Sequence, residues 1–311
     1  MVSFVLLSFP ACAESGNETR GEVGAFRWDM TLDEIARELS NPATSLRSFS
    51  ADFEYSTYQG DLPASGSMSG WKYEFTPSFP IPLDNGRNIL LRGTFAFWRD
   101  QPVWETWPYH PIWEVDRSYA DFLLRQSPQV TADSGRFFPG HDHVADASWD
   151  VAYGGTSDSG FISLYGIAGV VPISTDISAS RDQWLLGPEI ALGKVTDWGV
   201  FGAWATHQVD VGGDSGFSTC ETSVKVFFAY GLGNGWQVVS NPVITYDWEA
   251  DSGNHLLLPI GGGVAKTLGI GGTPLKMAVE LQYYVASPDR FGTEWQLTFS
   301  FTPVFSNPLV K

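Results

Sequence analysis

Charged side chains in this chain recur at alternate positions of short, apolar-rich segments, a spacing that projects them from one face of a β-strand. Glu54, Lys72, Glu74, Arg92, Glu189, Lys225, Asp247, Glu280 and the amide Gln282 all fall on such polar faces. Acids and bases mixed along one inner surface either set the field of a water-filled pore or pair off and fill a narrow barrel. Asp247, Glu249 and Asp251 alternate at one segment end, so a continuous strand there would aim three carboxylates at one mouth. That cluster could hold Ca²⁺ or form a solvated acidic rim, and its spacing to Gly253 does not match an EF-hand loop. His141 and His143 flank Asp142 without a third metal ligand in the motif. No Gly-x-Ser-x-Gly elbow occurs, and none of the five His sits in a recognisable nucleophile arrangement. Pairing of a strand Ser with His207 or His255 would show only in three dimensions. The expectation is therefore a protein without catalytic residues, cofactor or resident metal, with an outer-membrane lipid enzyme as a minor alternative.

Composition narrows the setting of these groups. Charged residues make up 17% of the 311, aromatics 14%, with 13 Trp and 33 Gly, and the mean hydropathy is -0.08. Beyond residue 13 no uncharged apolar run approaches the roughly 18 residues that a membrane helix needs. A membrane-spanning chain of this kind must close into a β-barrel, because nothing else satisfies every backbone group in lipid. The 18 basic and 35 acidic residues give a net charge of -17, which argues against phosphate-driven binding of nucleic acid.

Residues 1–13 read as a secretory signal, with Val2 to Phe9 as apolar core and Ala11-Cys12-Ala13 as cleavage site, so the mature chain is expected to start at Glu14. Acylation of Cys12 is the alternative, which Phe9 and Pro10 fit poorly. Loss of Cys12 leaves Cys220 alone, so no intramolecular disulfide is expected.

The elements that must position the charged groups follow from periodicity. Thr31 and Glu34 form a capping box for one helix, with Leu32, Ile35, Ala36 and Leu39 on one face and Asn41-Pro42 ending it. From residue 47 the period becomes two. Phe49, Ala51, Phe53 and Tyr55 oppose Ser50, Asp52, Glu54 and Ser56, and the last strand sets Trp295, Leu297, Phe299 and Phe301 against Gln296, Thr298, Ser300 and Thr302. Segments 161–173 and 199–209 are apolar on both faces and cannot be oriented. A soluble β-sandwich shares this alternation, but the connections differ. Tight turns near 82–86, 154–160, 196–199, 231–235 and 269–273 alternate with longer connections at 60–66, 99–146, 174–182, 210–219, 249–255 and 286–293. Short periplasmic turns and long external loops are the outer-membrane pattern, with both termini inside. The six long connections carry 16 acidic and 6 basic residues, a surface that would meet lipopolysaccharide through divalent cations. Trp98, Trp149, Trp184, Trp198, Trp236, Trp248 and Trp295 fall at or near proposed strand ends, where aromatic girdles sit. The 99–146 connection holds Trp104, Trp107, Tyr109, His110, Trp113 and Phe122, able to narrow the mouth or dock an apolar solute.

IARELSNP at 35–42, GDLP at 60–63, the stretch 182–208, LGNGWQ at 232–237, EADSG at 249–253, LPIGGGVAK at 258–266 and EWQLTF at 294–299 together resemble a family of Gram-negative outer-membrane proteins. It is the family grouped with the outer-membrane proteins of phenol meta-cleavage pathways, often labelled transporter and sometimes mislabelled neuromedin U. The resemblance spans residues 31–305 and implies a membrane barrel and passive uptake of small, aromatic molecules. It implies no particular functional residues, and the 99–146 connection is longer and more aromatic than the family's.

The combined expectation is an all-β, transmembrane, up-and-down antiparallel barrel of about 12 strands in the outer membrane. Residues 14–45 form a periplasmic or plug segment, 46–305 the barrel with 99–146 as external loop, and 306–311 a tail. The expected partners are outer-membrane lipid, lipopolysaccharide, divalent cations at the acidic loops and a small-molecule solute, with no nucleic acid. The expected function is a channel or passive transporter for small molecules, hydrophobic or aromatic ones among them, set against a non-conducting structural or surface-interaction barrel with a filled lumen.

Overall fold

The computed structural model describes residues 30–106, 110–111, 135–140, 142–175, 180–213 and 215–306, with only the backbone of 105–106 and 110–111. The signal segment with Cys12 and Glu14, residues 14–29, Trp107, Tyr109, Trp113, Phe122, His141 and the tail 307–311 lie outside the described residues, as does the side chain of His110.

Helix α1, Leu32–Glu38, begins where its sequence says it should. The Glu34 amide donates to Thr31 Oγ1 at 3.3 Å, and Glu34 Oε2 accepts from the Thr31 amide at 2.7 Å. That backbone hydrogen bond holds the Glu34 carboxyl below its ordinary pKa. Ile35 and Ala36 are buried, whereas Leu32 is exposed. Leu32 therefore does not share the buried face expected of it.

Twelve barrel strands follow. They are β1 Arg47–Gln59, β2 Ser69–Pro82, β3 Asn88–Arg99, β4 Ala147–Thr156, β5 Phe161–Val171, β6 Gln183–Thr196, β7 Gly199–Gly213 and β8 Cys220–Gly233. The ninth, β9, comes in two pieces, Trp236–Ser240 and Val243–Asp247, and β10 Leu256–Ile270, β11 Thr273–Ala286 and β12 Gly292–Phe305 complete the set. Each pairs antiparallel with the next, and β12 pairs back to β1 from Arg47 opposite Phe305 to Gln59 opposite Gly292, so the sheet closes. Across its break β9 keeps its pairing with β8, whereas its pairing with β10 lapses between Val239 and Thr245. Asn241-Pro242 interrupts it, yet both pieces keep the same register against β8, and the Val226 amide still donates to the Pro242 carbonyl at 2.9 Å.

Alternation sends apolar side chains outward. Phe95, Phe161, Tyr165, Ile167, Ile190, Leu192, Val264, Leu281 and Phe301 are all exposed on the wall. A closed barrel with an apolar outside and a polar inside is built to span a membrane, and it is the architecture of the Gram-negative outer membrane. Trp184, Trp198, Trp236, Trp248 and Trp295 are exposed near strand ends, as a girdle requires. Trp98 departs from that expectation. It sits opposite Lys72 in the β2–β3 register and so shares the inward face.

The short turns, the start of β1 and the end of β12 lie at one end, and the long connections at the other. At the long-loop end a small sheet of Val103–Thr106, His110–Pro111 and Gly135–Phe138 sits over the first and last connections. Leu62, Trp104 and Phe137 are buried there with Phe291, whose ring stacks on Phe137 at 4.0 Å.

Closure makes a direct prediction. Protein refolded in detergent should migrate faster on an SDS gel when unheated than after boiling, and identical migration of the two samples would count against a closed barrel.

Candidate functional site

The interior of the barrel is organised in two halves. On the side of β3 to β8, Leu90, Ala152, Ile162, Leu164, Ala191, Val200 and Phe227 form a buried cluster that packs on Ala43. This explains why β5 and β7 are apolar on both faces: their inward side chains meet the N-terminal segment rather than water.

The same segment closes the short-turn end. The Asp33 carboxylate accepts from the amides of Asn234 and Gly235 in the β8–β9 turn, and Arg37 donates to the Thr196 carbonyl at 3.3 Å. Asn41 Nδ2 donates to Thr156 Oγ1 at 2.9 Å, and Asn88 Nδ2 to the Ala43 carbonyl at 3.3 Å. These contacts come from several turns and strands around the rim, so the segment is tied to the barrel as a floor. Helix dipole and charge agree, with Asp33 in the first turn and Arg37 in the last.

Above this floor lies a cavity of about 530 Å³, bounded below by Leu39, Ser40, Asn41 and Pro42. Of the residues that alternation proposed for the lumen, Glu54, Lys72, Glu74, Lys225, Glu280 and Gln282 line it. Lys72 Nζ lies 2.7 Å from Glu54 Oε2 and 2.9 Å from Glu74 Oε2, a triad across β1 and β2. Glu280 accepts from the Asn241 amide at 3.0 Å and from Asn241 Nδ2 at 2.7 Å. This is the physical reason for the break in β9, because a backbone N–H that would serve the wall turns to an interior carboxylate instead.

Arg92 and Glu189 are inside the barrel but not on that cavity. Arg92 binds Asp150 through Nε and a terminal nitrogen at 2.8–3.0 Å, and its guanidinium lies 3.8 Å from the centre of the Trp204 ring. Trp204 Nε1 donates to Glu189 Oε2 at 3.0 Å, while Glu189 Oε1 stands 4.0 Å from Arg92. This group closes on itself and occupies the lumen beside the cavity.

Asp247, Glu249 and Asp251 do not share one strand face. Strand β9 ends at Asp247, so Glu249 and Asp251 lie in the bend and loop beyond it, off the strand face that was to have aligned all three. Asp247 Oδ1 accepts from the Glu249 amide at 3.0 Å, and Asp251 pairs with Arg290 at 3.2 Å. Among the described residues no group of three or more His, Cys, Asp or Glu is arranged to hold a metal ion. His143 lies within 3.0 Å of Gln101 Oε1 and pairs with Trp98 across strands.

Asp52, Asp150, Trp204, Asn241 and Lys276 complete the interior and were absent from the sequence-based lumen set. Alternation already placed Asp52 and Lys276 on polar faces. Asp150 and Asn241 owe their roles to partners on neighbouring strands, which a single strand's pattern does not reveal.

No family model matches the chain, and no curated protein matches it. Solved structures do. A COG4313 outer membrane channel from Pseudomonas putida F1 superposes with a TM-score of 0.58 at 9% identity, covering 86% of this chain and 98% of its own. The KdgM porin, solved with disordered oligogalacturonate, gives 0.39 at 10% identity over 83% and 98%. The Pseudomonas putida toluene transporter TodX gives 0.36 at 9% identity over 86% and 93%. The first of these shares the barrel fold across nearly its whole length.

The Arg92–Asp150 pair is nearly enclosed, so removing one partner strands the other charge. Arg92→Ala should lower stability by about 3–5 kcal/mol, read as an earlier urea midpoint for barrel unfolding. An unchanged midpoint would show that the pair does not hold the β3–β4 wall.

Proposed function

We propose that this protein is a passive outer-membrane channel for small molecules, with its N-terminal segment as the floor that sets how far the lumen opens. The observation that carries the reading is the charge-lined cavity between the loop end and that floor. A structural barrel has no need of a charged, unfilled interior, and charged groups around a confined path are the usual means by which pores select. The acidic long connections would gather divalent cations and lipopolysaccharide at the outer face. The family resemblance, grouped with phenol meta-cleavage pathways, adds support for small aromatic molecules as the traffic.

A second reading draws on a specific feature: the Arg92 group and the apolar cluster around Ala43 fill the other half of the lumen. On that reading the barrel conducts nothing and serves the outer surface alone.

Planar-bilayer recording of the refolded chain separates the two. The channel reading expects small unitary conductance, which rises several-fold in Asp33→Ala/Arg37→Ala because these side chains tie the floor to two turns. A barrel that shifts on heating yet stays silent, in both the parent and the double variant, would decide for the filled lumen.

A further inference from the structure

The walls of the cavity differ in chemistry. On β1, β2 and β12 they are polar: Ser50, Asp52, Glu54, Glu74, Thr298 and Ser300. From β8 to β11 they present Phe227, Ala229, Val239, Val243, Leu257 and Ala278, apolar patches set between Asn241, Thr245, Glu280 and Gln282, and this wall carries Lys225 and Lys276.

The charges on these walls are not equally served. Glu54 and Glu74 share Lys72, Glu280 directs both oxygens to Asn241, and Asp52 accepts from the Ser50 hydroxyl at 3.1 Å. Lys225 feels Asp52 and Glu74 across the lumen, but it forms no ion pair within 4.0 Å and no hydrogen bond among the described residues. Lys276 donates to the neutral Ser40 hydroxyl at 2.7 Å, and Glu280, whose charge acts on it, directs its oxygens to Asn241. Lys225 stands in the outer half of β8, whereas Lys276 is near the turn end of β11, beside the floor. An ammonium group presents three donors, and a carboxylate is the acceptor that binds them most strongly. Four carboxylates and three ammonium groups line the cavity, yet two of those ammonium groups, Lys225 and Lys276, have no carboxylate in contact and stand among apolar side chains.

We propose that this cavity binds a small apolar monocarboxylate, whose hydrocarbon body lies along the β8–β11 wall and whose carboxylate meets Lys225 and, deeper, Lys276. The two ammonium groups are successive stations on the way to the floor. This assignment rests on the proposed small-molecule channel for its purpose but not for its test, since binding is measured without conduction.

The test is calorimetric titration of the folded, detergent-solubilised chain with benzoate, using benzyl alcohol and benzylamine as neutral and cationic controls of the same body. Benzoate should bind saturably and at least about tenfold more tightly than either control, because a charge-assisted contact is worth that factor or more. Lys225→Gln and Lys276→Gln should each weaken it by at least about tenfold, and Lys225→Arg should retain it. Equal affinity for the three probes, no benzoate binding, or unchanged affinity in both glutamine variants would overturn the assignment. The comparison of probes on the parent protein stands even if a variant does not fold. Binding without conductance would leave the site and defeat the channel, and conductance without binding would do the reverse.

Discussion

Backbone N–H and C=O groups in hydrocarbon have no water to turn to, and this requirement governs the molecule. Each strand must find both neighbours, and the sheet must return to its start. Pairing of Arg47–Gln59 with Gly292–Phe305 meets that condition, with Phe53 opposite Phe299 and Glu54 opposite Thr298. Once that seam is registered, alternation assigns every side chain to lipid or lumen. A slip of one residue would exchange Glu54 for Tyr55 on the inner face, so the membrane itself penalises such a slip.

The interior obeys a second constraint. A barrel of 12 strands encloses more space than polar side chains alone would leave stable without partners. Part of that space is taken by the apolar cluster around Ala43 and the group of Arg92, Asp150, Glu189 and Trp204. The other part stays open because its charges are held against walls: Lys72 by two acids, Glu280 by Asn241. The break at Asn241-Pro242 shows how the two constraints trade. Pro242 has no N–H to give, Asn241 gives its own to Glu280, and Ser240 Oγ donates to the Gly261 carbonyl at 2.7 Å in partial replacement.

The N-terminal segment joins inside to outside. Its capping box and charge order are local matters, written in Thr31, Asp33, Glu34 and Arg37. Its destination is not local. Either a periplasmic position or a lumenal one suited the same residues, until Asp33, Arg37, Asn41 and Ala43 found partners on the turns and inner wall of strands 45 to 201 residues away.

Much of this was legible from residues alone. The two-residue period from position 47, the alternation of short and long connections and the capping box specified a closed barrel, the end that gathers its long connections and the helix, because each is a local pattern with a local physical cause. The polar faces that carry Glu54, Lys72, Glu74, Lys225 and Glu280 were equally visible. Tertiary structure decided what those patterns leave open. It turned Trp98 inward, ended β9 at Asp247 before Glu249 and Asp251, and oriented the doubly apolar β5 and β7 toward the N-terminal segment. It also separated the acids that have partners from the two lysines that have none of opposite charge in contact. The physical reason is that alternation states which face a side chain takes, whereas charge pairing and packing across the lumen depend on strands brought together only when the barrel closes.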